Sequence, residues 1–84
     1  VARYTQDLTK ALTQANVGLE TVEPEFGVNQ YEVTSAPAVG LQAAERAIIT
    51  REVIRETARR LGYRATFTPK ASPVPKYSSI MWPK

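Results

Sequence analysis

The chain has 84 residues, 43% of them hydrophobic and 23% charged, with a net charge of +3 and neither cysteine nor histidine. That length suits one small domain with a single core. The missing residue types exclude disulfides, thiolate metal sites, a cysteine nucleophile, a Ser–His–Asp triad and the usual zinc ligands.

From Thr5 to Ala15 the spacing predicts a helix, with Leu8, Ala11, Leu12 and Ala15 on one stripe. Thr5 is the expected N-cap, Asp7 suits the first turn, and Asn16 is a left-handed stop. A strand is expected from Val17 to Val22, where Val17, Leu19 and Thr21 alternate with Gly18 and Glu20; Val22 breaks the alternation. Pro24, Gly27 and Asn29 then mark a turn. After it Gln30 to Thr34 alternates cleanly, Tyr31 and Val33 on one side and Gln30, Glu32 and Thr34 on the other. If Tyr31 and Val33 face the helices, Glu32 points to the open face of the sheet.

The segment Ser35 to Gly40 breaks the pattern, and the longest helix is expected from Leu41 to Leu61. Its apolar line runs Leu41, Ala44, Ala47, Ile48, Ile54, Ala58 and Leu61, widened by Ile49 and Val53, with Gly62 as the stop. Arg51, Arg55, Arg59 and Arg60 lie mostly outward, at spacings that allow ion pairs with Glu52 and Glu56. A third strand, Tyr63 to Thr68, ends at Pro69. Residues 75–84 read as a proline-containing tail in which Ile80, Met81 and Trp82 are apolar enough to dock. The expected order is α-β-β-α-β, an α+β fold with a small, largely antiparallel sheet and two helices on one face, a ferredoxin-like fragment.

The acidic turn is the main candidate for chemistry. Folding back there brings Glu25 and Glu32 side by side, and two close carboxylates repel unless a proton or cation sits between them. A hard divalent ion such as Mg²⁺ suits such oxygens; a solvated acidic hairpin loop is the competing reading. Charge is also split, −3 over residues 1–50 and +6 over 51–84. This marks either a nucleic-acid surface through Arg51, Arg55, Arg59, Arg60, Arg64 and Lys70 or simply a basic solvated helix face; without interleaved aromatics or a known motif the first is the weaker. Without a membrane-length apolar run or signal-peptide pattern, the default expectation is a soluble, cytoplasmic protein with no membrane partner. Val1 in place of Met suggests a piece of a longer chain.

Four stretches carry a family resemblance. The run from Glu25 to Glu32 resembles the Glu…Gly-Gln-(aromatic)-Glu element of the glutamine synthetase catalytic domain, on the branch that includes the γ-glutamylamide synthetases. Ala36 to Ala38, Ala43 to Arg46 and Arg64 to Lys70 are similar to the next pieces in the same order, so the resemblance spans residues 5 to 73. It implies ATP-dependent ligation of ammonia or an amine to the γ-carboxylate of glutamate. By position it implies Glu25 and Glu32 as ligands of Mg²⁺ or Mn²⁺ and Lys70 as a nucleotide-binding lysine. Asn29 and Glu23 depart from the family's usual Gly and His, and the glycine-rich stretch ending in histidine does not follow Lys70. The expectation is therefore an incomplete catalytic-domain segment over residues 1–74, inactive alone and holding no ion tightly, with residues 75–84 foreign to the family. Having lost neighbouring strands, such a segment is expected to self-associate as a homodimer through its open sheet face or an edge.

Overall fold

The structure is a computed structural model that describes residues 2–24, 30–69 and 76–83. Its elements, in chain order, are α1 (Ala2–Ala15), β1 (Leu19–Pro24), β2 (Gln30–Ser35), α2 (Gly40–Arg60), β3 (Tyr63–Pro69) and β4 (Lys76–Pro83). All pairings are antiparallel, and the strand order is β1-β2-β4-β3. β2 and β3 therefore run parallel with β4 between them, a split β-α-β unit joined through α2. Starting at β4 and continuing through α1, the order is β-α-β-β-α-β, a circular rearrangement of the ferredoxin-like unit. The α+β class and the antiparallel sheet agree with the sequence.

Local chemistry sets the element ends. Asn16 adopts φ 57° directly after α1, and Gly62 adopts φ 86° beyond the end of α2, the left-handed stops both residues suit. α1 starts earlier than expected, so Thr5 lies inside the helix and is not its cap. This places Tyr4 in the core with Leu8 and Leu12.

The core lies between the helices and one sheet face, and gathers Tyr4, Leu8, Leu12, Val17, Tyr31, Val33, Ile54, Ala58 and Met81. β1 carries a register shift between Leu19 and Thr21, after which Val22 stands opposite Val33. The bulge explains the broken alternation. It lets Leu19 and Val22 both pack against the core and sends Thr21, expected on the inner side, outward.

Two expectations about packing change. The C-terminal segment is not a loose tail: Lys76 to Pro83 forms an inner strand paired on both sides. In α2, Ile54 and Ala58 are buried as expected, but Thr50 and Thr57 join them, while Leu41, Ile48 and Ile49 are 76%, 53% and 42% exposed. The sheet is covered by the line through Thr50, Ile54, Thr57 and Ala58, and a second apolar line faces outward. Among the described residues no helix is long and apolar enough to cross a membrane.

Candidate functional site

The hairpin β1–β2 sets Glu23 directly opposite Glu32, two residues beyond the pairing of Thr21 with Thr34. On the other side of β2, Glu32 stands opposite Ser78 of β4, and Ser78 stands opposite Thr68 of β3. Tyr31 and Val33 are buried against the helices, so strand alternation puts this row on the sheet face that the helices do not cover. Glu23 is exposed and Glu32 half-buried. Directly opposed side chains have Cβ atoms about 4.5–5.5 Å apart, close enough for two carboxylates to repel.

Polar neighbours frame the row. Gln30 donates from Nε2 to Ser78 Oγ at 3.0 Å. Lys76, opposite Thr34, lies on the same face and diagonal to Glu32, about 7–8 Å away between Cα atoms. Thr34 and Ser78 are buried there. Arg64 and Trp82 form the pair at the far end of the face, and Trp82 donates from Nε1 to Thr66 Oγ1 at 3.1 Å.

Of the residues singled out in the sequence, Glu32 lies where expected, on the helix-free face. Glu25 and Lys70 lie outside the described residues, as do Gly27 and Asn29 of the turn. The structure adds Glu23, Ser78 and Lys76 to the neighbourhood of Glu32. Glu23 could have been found from its nine-residue separation from Glu32 across a turn, but Ser78 and Lys76 required the register of β4.

Among the described residues, no three His, Cys, Asp or Glu side chains converge. Glu23 and Glu32 offer carboxylate oxygens suited to a hard cation but fall short of the octahedral shell Mg²⁺ demands. The described residues by themselves therefore do not fit a tightly held ion.

The arginines of α2 lie on the helical side. Arg59 and Arg60 both pair with Glu56, at 2.6 and 3.2 Å, and Arg55 pairs with Glu52 at 3.3 Å. The hydrogen bond and charge of Arg59, with help from Arg60, hold the Glu56 carboxyl down to about 2. Arg55 also covers the Phe67 ring at 5.1 Å, a cation–π contact. The charge split of the sequence thus includes a self-paired basic helix end.

The described residues form a two-helix, four-stranded α+β unit with Glu23 and Glu32 in register on its uncovered face. The family described as "Glutamine synthetase, catalytic domain" matches residues 1–79, and the chain belongs to that family. It is 33% identical over 63 residues to a γ-glutamylpolyamine synthetase of Streptomyces coelicolor, covering 75% of this chain and 14% of that protein. A γ-glutamylanilide synthase of an Acinetobacter species is 36% identical over 58 residues, covering 69% and 12%. A type-1 glutamine synthetase of Dictyostelium discoideum is 35% identical over 65 residues, covering 77% and 13%. The chain thus spans 12–14% of the length of these relatives. No solved structure matches the chain significantly.

Proposed function

We propose that this chain supplies the acidic hairpin of an ATP-dependent ligase that joins glutamate to ammonia or an amine, and that alone it is a folded, non-catalytic module. The observation that carries this reading is the in-register row Glu23–Glu32–Ser78 on the helix-free face of a glutamine synthetase family chain. In the reaction implied by the family, ATP phosphorylates the γ-carboxylate of glutamate and the amine then displaces phosphate. Glu25 and Glu32 would hold the Mg²⁺ or Mn²⁺ that polarises the reacting oxygens, and Lys70 would meet the nucleotide. What this chain does is present Glu32, with Glu23 opposite it, on the helix-free face of the sheet. Phosphoryl transfer needs several positive groups on the phosphates. Among the described residues only Lys76 lies within one diagonal step of Glu32. The purified chain, supplied with glutamate, ATP, Mg²⁺ and hydroxylamine, is expected to form no γ-glutamyl hydroxamate. Turnover that survives removal of every contaminating synthetase contradicts the reading.

A second reading, self-association, is favoured by the outward line of α2. Leu41, Ile48 and Ile49 are exposed, with Glu45 toward one end of the helix and Arg60 at the other. Two copies packed with α2 antiparallel about Ile48 and Ile49 would cover the isoleucines of both helices. Light scattering should then report a mass that rises with concentration, and Ile48→Glu should hold it at the monomer value. A monomer mass at every concentration rules this out.

A further inference from the structure

On the helix side of the sheet, away from the acidic row, a cavity of about 110 Å³ lies at the junction of β2 and α2. Ser35, Ala36, Ala38, Arg46, Thr50 and Tyr77 form most of its wall. Two of these groups have unused hydrogen-bonding capacity among the described residues. Ser35 is 4% exposed, and its Oγ is buried with no hydrogen-bond partner. Arg46 is half-buried, yet the ion pairs among the described residues engage Arg3, Arg55, Arg59 and Arg60 and not Arg46.

The guanidinium packs against the Gly18 turn. A Cβ built on Gly18 would stand 2.8 Å from Arg46 Nη1 and 3.4 Å from Cζ, so the group lies directly against the Gly18 backbone. That backbone is itself fixed, because the Ala36 N–H donates to the Gly18 carbonyl at 2.7 Å. Gly18 has φ +73°, so glycine serves both the left-handed backbone and the close approach. The N-terminus of α2 is beside the cavity, and its N-cap residue, Val39, makes no side-chain cap. The positive end of the helix dipole therefore adds to the charge of Arg46.

We propose that this cavity binds a single small oxyanion, a carboxylate or a phosphate, held by Arg46 and Ser35. The chemistry is complementary: a guanidinium donates N–H bonds to paired oxygens, and the serine hydroxyl donates a further one. Among the described residues no carboxylate lines the cavity to compete. The space of about 110 Å³ is enough for one carboxylate group or one phosphate. The bound anion would join the end of β2 to the first turns of α2.

The test is an ¹⁵N NMR titration of the chain with inorganic phosphate and, separately, acetate, each against chloride at matched ionic strength. Saturable shifts are expected at the Ser35, Ala36 and Arg46 amides and at Arg46 Nε, and the two arms report which oxyanion is preferred. Arg46→Met, which keeps the aliphatic stem, should weaken binding at least tenfold. Ser35→Ala removes the buried hydroxyl, so it should raise the melting temperature without anion and reduce the rise that the anion produces. Shifts no larger than with chloride, which would leave the cavity to water, overturn the proposal. So does an affinity unchanged in Arg46→Met or, should that variant fail to fold, in Ser35→Ala.

Discussion

Replacing Tyr4 by Phe should stabilise the protein, against the usual result for a buried tyrosine. Tyr4 is 1% exposed, and its ring meets that of Tyr31 at 4.9 Å between centroids with the planes tilted by 56°. Its hydroxyl, though close to Ser79, closes no hydrogen bond; the hydroxyls of Tyr31 and Ser79 are likewise buried and unpaired. Phe keeps the ring contacts and removes a desolvated group whose unmet bond costs about 1–3 kcal/mol. The void left by one oxygen, roughly 15 Å³, returns about 0.4 kcal/mol of that. The expected net gain is about 0.6–2.6 kcal/mol, read in urea as a higher midpoint with an unchanged slope. A second readout is alkaline. Burial raises the Tyr4 pKa from 10.0 to about 12. Because the folded value lies above the unfolded one, the associated stability is intact below pH 10 and lost as pH rises toward 12. Tyr4→Phe should flatten that loss. A variant less stable by 1 kcal/mol or more would show that the hydroxyl is satisfied, and would refute the reasoning.

Other changes test the packing and the charge pairs. Ile54→Ala should cost about 2–5 kcal/mol in chemical denaturation, because Ile54 is fully buried, whereas Ile48→Ala should cost under about 1 kcal/mol in the monomer. Comparable losses would mean that α2 is rotated from its described position. Gly62→Ala should destabilise by about 1 kcal/mol because an L side chain is strained at φ 86°; a neutral result would argue against that backbone. Glu56 has a folded pKa of about 2 against an ordinary 4.5, so its contribution is present above pH 4.5 and lost as pH falls toward 2. Glu56→Gln should flatten the acid limb of the stability profile between those values, and an unchanged limb would mean the arginine pairs do not form in solution.

The readable parts of the fold were those fixed by local chemistry. Asn16 and Gly62 announced helix ends because few residues tolerate a positive φ, and Tyr31 and Val33 announced the inner face of β2 by alternation alone. The bulge in β1 was not legible, since an extra residue looks the same in sequence as a polarity error at Val22. α2 carries two apolar lines at helical spacing, and periodicity cannot say which one meets the sheet. The threonines at 50 and 57 won the inner position because they stand on the line of Ile54 and Ala58. β4 was hidden by Pro73 and Pro75 just before it in the sequence and by Pro83, which discourage a strand reading although Pro83 sits only at its end. With β4 unseen, the neighbours Ser78 and Lys76 of Glu32 were unseen too. The candidate site was legible as an acidic turn, but not as a row across three strands.

The central claim is that Glu32 belongs to the working carboxylates of a ligase and that this chain positions it. The direct measurement is γ-glutamyl hydroxamate formation by a γ-glutamylpolyamine synthetase whose matching segment has been replaced by residues 5–68 of this chain, with and without Glu32→Gln. The replacement should leave measurable ligase activity, and Glu32→Gln within it should lower that activity by about 100-fold or more. Equal activity with Glu32 and with Gln at that position would contradict the account.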